Sequence, residues 1–434
     1  MSGDVRAIRG RLLSFTAEPA GAGDAASVTV MADGMLRVED GRIAAVGPAS
    51  VVGPALPPGT PVDDHGDRLV MPGFIDLHIH FPQTRVIASY GAQLLDWLTT
   101  YTFVEEQKYG DPAFAAAQAR FFLDELLRNG TTTAVAYGSV HPESVEAVFA
   151  EAERRGMGMI AGKVMMDRHA PPALCDTAQR SYDESKALIG RWHGRGRQRY
   201  AVTPRFAITS TPDQLDAAGA LLREHPGCYL QTHLSENHDE IRQVTRLYPA
   251  ARDYTDVYER FGLLGPRSLL GHCLHLSDDE LDRLAATESV AVFCPTSNLF
   301  IGSGLFDAAR LRGAGVRTGL ATDVGGGTSY SLLRTAAEAY KVLQLRGQNL
   351  PALSAFYTIT RGNALALGLG GEIGSFIPGA WADAVVLDSA ATPALAHRMD
   401  TARGLEDELF ALMTLGDDRA VAATYVRGRR ATGS

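Results

Sequence analysis

Two hydrophobic patterns divide the chain. Over residues 1 to about 70, short apolar runs alternate with turns, and 35–38 and 42–46 flank an Asp40-Gly41 pair that predicts a β-hairpin. Residues 384–387 and 423–426 are similar runs near the other end, with Arg427-Gly428 as a turn. Neither end holds enough strands to close its own core. The two are therefore expected to combine into one small β-sandwich domain, 1–70 plus 375–434. In between, apolar runs at 74–79, 229–234, 268–270 and 290–293 alternate with longer stretches of helical period. One helix is expected over 114–127, stopped by Asn129-Gly130, and another over 143–155, stopped by Gly156. Strand and helix alternating across 71–374 predict an α/β fold, a (β/α)8 TIM barrel.

Composition narrows this picture a little. The 434 residues are 45% hydrophobic and 21% charged, enough apolar material for a large core. The formal net charge of −9 argues against a nucleic-acid partner. The local run of arginines over 191–205 reads mostly as a solvated loop, with Arg205 set apart. Four cysteines, none in a Cys-x-x-Cys pair, suggest neither a zinc ribbon nor a redox dithiol and fit small buried hydrophobes in a reducing compartment. With neither a signal-peptide h-region nor a run long enough to cross a bilayer, no membrane partner is expected and a cytoplasmic location is the default.

Chemistry enters at the ends of the apolar runs. In Asp76-Leu77-His78-Ile79-His80, strand alternation turns His78 and His80 to one face, with Leu77 and Ile79 on the other. Alone, such a pair could be two polar residues on an exposed strand. Apolar flanks make it buried, and a buried pair needs a partner. In Leu230-Gln231-Thr232-His233-Leu234-Ser235-Glu236, a strand ends in His233 and Glu236 follows in the loop. Leu269-Leu270-Gly271-His272-Cys273 and Thr318-Gly319-Leu320-Ala321-Thr322-Asp323 repeat the motif, ending in an imidazole and a carboxylate. In a barrel such strand ends share one mouth, where His and Asp can hold a divalent ion. His238, opening a charged helix, reads as solvated; His275 is given no role, and Lys163 reads as structural.

Met71-Pro72-Gly73-Phe74-Ile75-Asp76-Leu77-His78-Ile79-His80 resembles the first-strand signature of the amidohydrolase superfamily. Within it, Leu94-Leu95-Asp96-Trp97-Leu98-Thr99-Thr100-Tyr101-Thr102-Phe103, Thr203-Pro204-Arg205-Phe206, Ser235-Glu236-Asn237, Pro295-Thr296-Ser297-Asn298-Leu299 and Thr322-Asp323-Val324-Gly325-Gly326-Gly327 are similar to landmarks of the guanine deaminases, in order and over nearly the whole chain. The resemblance implies one zinc ion per subunit held by His78, His80, His233 and Asp323, although iron(II) accepts the same ligands. It implies that Glu236 shuttles protons, that His272 and Asp323 act on the attacking water, and that Gln83, Arg205 and Phe206, with His233 and Glu236, bind the substrate. That substrate is implied to be a purine base, guanine, and the assembly a homodimer. The alternatives are a hydrolase of another heterocycle on the same scaffold (a triazine, 8-oxoguanine or a pterin) and a catalytically silent scaffold.

Overall fold

The computed structural model describes residues 4–91 and 93–432, so residues 1–3 and 433–434, the outermost parts of the expected composite domain, lie outside the described residues. Strands β1 (Val5–Phe15), β2 (Val28–Glu39), β3 (Arg42–Pro48) and β4 (Val62–Pro72) come from the first part of the chain. The hairpin of β2 and β3 turns at Asp40 and Gly41, both with left-handed backbone (φ 51° and 84°), as an Asp-Gly turn requires.

Eight parallel neighbours follow. They are β5 (Phe74–His80), β6 (Thr131–Tyr137), β7 (Gly158–Gly162), β9 (Gln198–Pro204), β10 (Tyr229–Leu234), β11 (Ser268–His272), β12 (Val290–Phe293) and β13 (Arg317–Leu320), with the short β8 (Val164–Met165) also paired to β9. Helices such as Pro112–Arg128, Pro142–Arg155 and Pro212–Glu224 run between them. The expected helix stops hold: Gly156 caps the second of these at φ 73°. Last and first strands meet through backbone bonds, Asp323 N–H to the His78 carbonyl at 2.8 Å and His80 N–H to the Val324 carbonyl at 2.7 Å. Buried Asn363 stitches the same seam, donating to the carbonyls of Ile75 (2.7 Å) and Leu320 (2.8 Å) and accepting from Leu320 N–H (3.1 Å). The result is a (β/α)8 barrel with a separate sheet domain.

Inside the barrel, Ile75, Val135, Ile160, Ala201, Tyr229 and Leu269 form one apolar cluster, as side chains from successive strands can only do on the inner wall. Leu77 belongs to this cluster, whereas Ile79 packs in the outer layer with Phe81 and Ala136. Simple alternation along β5 puts these two on one face. The pairing of β5 with β6 shifts register between Asp76 and Ile79, and this irregularity separates them.

The other sheet joins both ends of the chain in the order β16-β15-β14-β4-β1-β2-β3, using β14 (Ala384–Leu387), β15 (Val421–Val426) and β16 (Arg429–Thr432). Two helices, Pro393–Met399 and Leu405–Leu415, stand between β14 and β15, and the strand pattern does not announce them. The arginine run also differs from a solvated loop. Arg191 and Arg195 are exposed, but Arg197 is buried against Asp383 (Nη1 to Oδ1 3.0 Å), which ties β9 to the sheet domain. No helix among the described residues is long and apolar enough to cross a membrane.

Candidate active site

His78 and His80 end β5, His233 lies one residue from the end of β10, His272 is the last residue of β11, and Asp323 follows β13. His272, Asp323 and Ser235 hold left-handed backbone (φ 72°, 52° and 49°), uncommon for non-glycine residues and a device for turning sharply at a strand end. Gly271 leaves room for the cluster, because a Cβ there would lie 2.6 Å from His78 Cε1. All of these side chains are buried.

Their inner atoms converge. His80 Nε2 faces His233 Nε2 at 3.2 Å; Asp323 Oδ1 lies 3.3 Å from His78 Nε2 and 3.4 Å from His80 Nε2. His272 Nε2 lies 3.7 Å from Asp323 Oδ2. The outer ring nitrogens fix two tautomers. His233 Nδ1 faces the Arg205 carbonyl at 2.7 Å and His272 Nδ1 faces Asn298 Oδ1 at 2.8 Å, so in the neutral rings both Nδ1 atoms carry the proton and both Nε2 atoms point lone pairs inward. Burial pushes His80 down to about 3, and burial with the neighbouring imidazoles holds His233 well below its ordinary value. His78 Nε2 has no hydrogen-bond partner. Imidazoles with converging inner nitrogens, the unpartnered Nε2 of His78 and a carboxylate suit a divalent cation, and two groups of donor atoms, His78/His80/His233 and His78/His272/Asp323, each lie within 4.8 Å of one another. The cluster can hold a metal ion.

Glu236 stands beside it. Its Oε2 is 3.3 Å from His272 Nε2, and Oε1 accepts from Ser303 Oγ at 2.8 Å. Burial, reinforced by the charge of Asp323, pushes its carboxyl up to about 8. Buried Glu240 sets the loop that carries it, accepting from the N–H groups of Glu236 (2.8 Å) and Asn237 (3.0 Å) and from Tyr254 Oη (2.8 Å).

Gln83, Arg205 and Phe206 line the same cavity as His80, His233, Glu236, His272 and Asp323, with Leu94, Trp97 and Ile301 as apolar walls. Every site residue expected from sequence is thus at this mouth, with His78 touching the cluster from below. Residues given no role in advance are also here. Glu106 accepts from Arg205 Nη1 on both oxygens (2.9 Å each) and from Gln83 Nε2 (3.0 Å). Tyr137 stacks on the His80 ring at 4.4 Å. Trp97 lay in a recognised motif, but Glu106 carried no signal beyond being one of two adjacent glutamates. As expected, His238 is exposed, and Lys163 is engaged by Asp176 and by Glu184 (3.3 Å).

A parallel barrel with imidazoles and a carboxylate gathered at the C-terminal strand ends has the build of a metal-dependent hydrolase. The Amidohydrolase family matches residues 69–431, and the chain belongs to this family. Guanine deaminase of Escherichia coli (strain K12) is 47% identical over 99% of this chain and 98% of its own length. The solved structure of the E. coli guanine deaminase superposes with a TM-score of 0.96, at 46% identity and 99% coverage of both chains. That of the C. acetobutylicum guanine deaminase, with guanine bound in its active site, gives 0.87 at 28% identity, covering 98% of this chain and 99% of that one.

Proposed function

We propose that this chain catalyses the hydrolytic deamination of guanine to xanthine and ammonia. The observation that carries the reading is one buried cavity with a metal-type donor cluster at one end and paired hydrogen-bonding groups, Arg205 and Gln83, at the other. A planar base is recognised by few, well-aimed polar groups between apolar walls. The end-to-end match to guanine deaminases supports the same substrate.

His78, His80, His233 and Asp323 would hold a zinc ion, one per subunit. Bound there, it supplies Lewis acidity that makes water nucleophilic at neutral pH. Arg205 donates to the O6 carbonyl of guanine, Gln83 reads a neighbouring ring edge, and Phe206 closes against the base. Asp323 and His272 orient the attacking water and accept its proton. Glu236, whose carboxyl is pushed up by burial and by the charge of Asp323, donates a proton to the ring nitrogen next to C2, which makes that carbon electron-poor. A C2–O bond forms. Glu236, now a carboxylate, takes the remaining proton of the C2 hydroxyl and passes it to the exocyclic amine. The C2–N bond breaks as ammonia leaves and C2–O becomes the carbonyl of xanthine, and the proton held at Asp323 or His272 restores the Glu236 acid.

The same reading has a homodimer and a cytoplasmic location. Incubation with guanine, following its ultraviolet absorbance and the ammonia released, is the test. Xanthine should appear, and a chelator should abolish the reaction until zinc is restored. Intact guanine with the metal-loaded protein would defeat the reading.

A further inference from the structure

Resting on that reading, we propose that Glu106 makes the base-binding end of the cavity electrically neutral, and so selects a neutral purine over an anionic one. Arg205 is a buried cation pointing into a cavity, and alone it would favour an anion. Its Nη1 is turned away from the cavity onto both oxygens of Glu106, a fully buried carboxylate behind the cavity wall. The guanidinium keeps donors for the ligand, but its charge is matched within hydrogen-bond distance. Glu105, next in sequence, serves another purpose: it pairs with Lys108 (2.5 Å) and Arg85 (3.4 Å), both half exposed. Among the described residues, Glu106 is the carboxylate paired with Arg205.

Glu106 also fixes the hand of Gln83. A carboxylate is acceptor-only, so it takes the Gln83 amide nitrogen (3.0 Å) and turns Oε1 the other way, towards Gly325 N–H (3.3 Å). One side chain therefore sets both the charge of the arginine and which edge the glutamine offers. Glu106 is a positioning residue, acting through Arg205 and Gln83. The consequence falls on the product. Guanine stays neutral across the working range, whereas xanthine loses a ring proton near neutrality. A neutral Arg205–Glu106 pair gives the xanthine anion no compensating charge, so product leaves more readily as it ionises.

The test compares xanthine with hypoxanthine, which shares the 6-oxo edge but stays largely neutral, as competitive inhibitors between roughly pH 6 and pH 8. The other titratable groups facing the cavity, His80, His233, His272, Glu236 and Asp323, are the same in wild type and variant, so the change in the ratio of the two inhibition constants between the two proteins isolates the contribution of Glu106. In the wild-type protein xanthine should weaken relative to hypoxanthine as pH rises. Glu106→Gln should reverse that trend, tightening ionised xanthine relative to hypoxanthine on the order of tenfold. Glu106→Asp, which keeps charge and acceptor, should retain the wild-type trend. A Glu106→Gln ratio that follows the wild-type course overturns the proposal. If that variant does not fold, the wild-type profile decides, because ionised xanthine binding as well as the neutral form overturns it equally. Calorimetric titration of the two bases gives the same comparison in a protein that does not turn over guanine, so the two readings fail separately.

Discussion

The backbone carbonyl of Arg205 accepts the Nδ1 proton of His233 at 2.7 Å. One residue thus serves both ends of the cavity, its main chain orienting a member of the metal-type cluster and its side chain lining the base pocket. These two services are separable by mutation. Arg205→Ala removes only the second, and should raise KM for guanine by on the order of tenfold to a hundredfold, the loss of a charge-assisted hydrogen bond. Stability should also fall by about 3–5 kcal/mol, because Glu106 is left buried without its cation. Zinc content after purification should match the wild type. A variant that binds guanine normally, or that loses its metal, contradicts the division.

Glu236 is placed to move protons without being needed in the donor groups. Glu236→Gln keeps the bond from Ser303 but cannot give up a proton. Turnover should fall by about 10²–10⁴-fold with zinc still bound, the usual worth of a general acid. Near-normal kcat in a metal-replete variant would remove Glu236 from the mechanism.

The donor cluster was legible because its chemistry sits where two simple rules intersect. Strand period sends His78 and His80 the same way, and a parallel barrel gathers the C-terminal ends that carry His233, His272 and Asp323. Glu106 was not legible. Its partners lie 23 and 99 residues away, its helix shows no catalytic spacing, and Glu105 beside it is indistinguishable in one dimension. Arg197 failed for the same reason, since its meaning comes from Asp383, 186 residues on. Leu77 shows a smaller limit: a register shift in β5 breaks the alternation that sequence reading assumes. Long-range pairing of charges is decided by the fold, and local pattern carries no trace of it.

Buried Glu240 makes stability depend on pH. Burial raises its carboxyl from 4.5 to about 7, so the folded state prefers the neutral acid. Its contribution is full below the unfolded value and is lost as pH rises through the folded one, over about pH 4.5 to 7. The expected size is of order 3 kcal/mol. Urea unfolding of the metal-free protein at a series of pH values, wild type against Glu240→Gln, isolates it. The stability advantage of the wild type over the variant should shrink as pH rises through this window. A difference that stays constant or grows would mean that Glu240 enters the fold already ionised.

Gly271 tests the cluster without touching any of its donors. A Cβ at this position would lie 2.6 Å from His78 Cε1 and 3.0 Å from Nδ1, so the imidazole has to move. It has little freedom to do so. The rings of Tyr137 and His233 both sit 4.8 Å from it, and that of His80 sits 5.1 Å away. Displacing an oriented ligand by a few tenths of an ångström typically costs about 10–100-fold in metal affinity, as losing an outer-sphere partner does. Gly271→Ala should therefore weaken zinc binding by about that factor in competition with a chelator, and activity should recover at high zinc. The barrel itself should survive, since Gly271 is a regular strand residue that alanine can replace in backbone terms. Wild-type zinc affinity in a folded Gly271→Ala protein would mean that His78 is not among the ligands, and the donor set would have to be redrawn around His80, His233, His272 and Asp323.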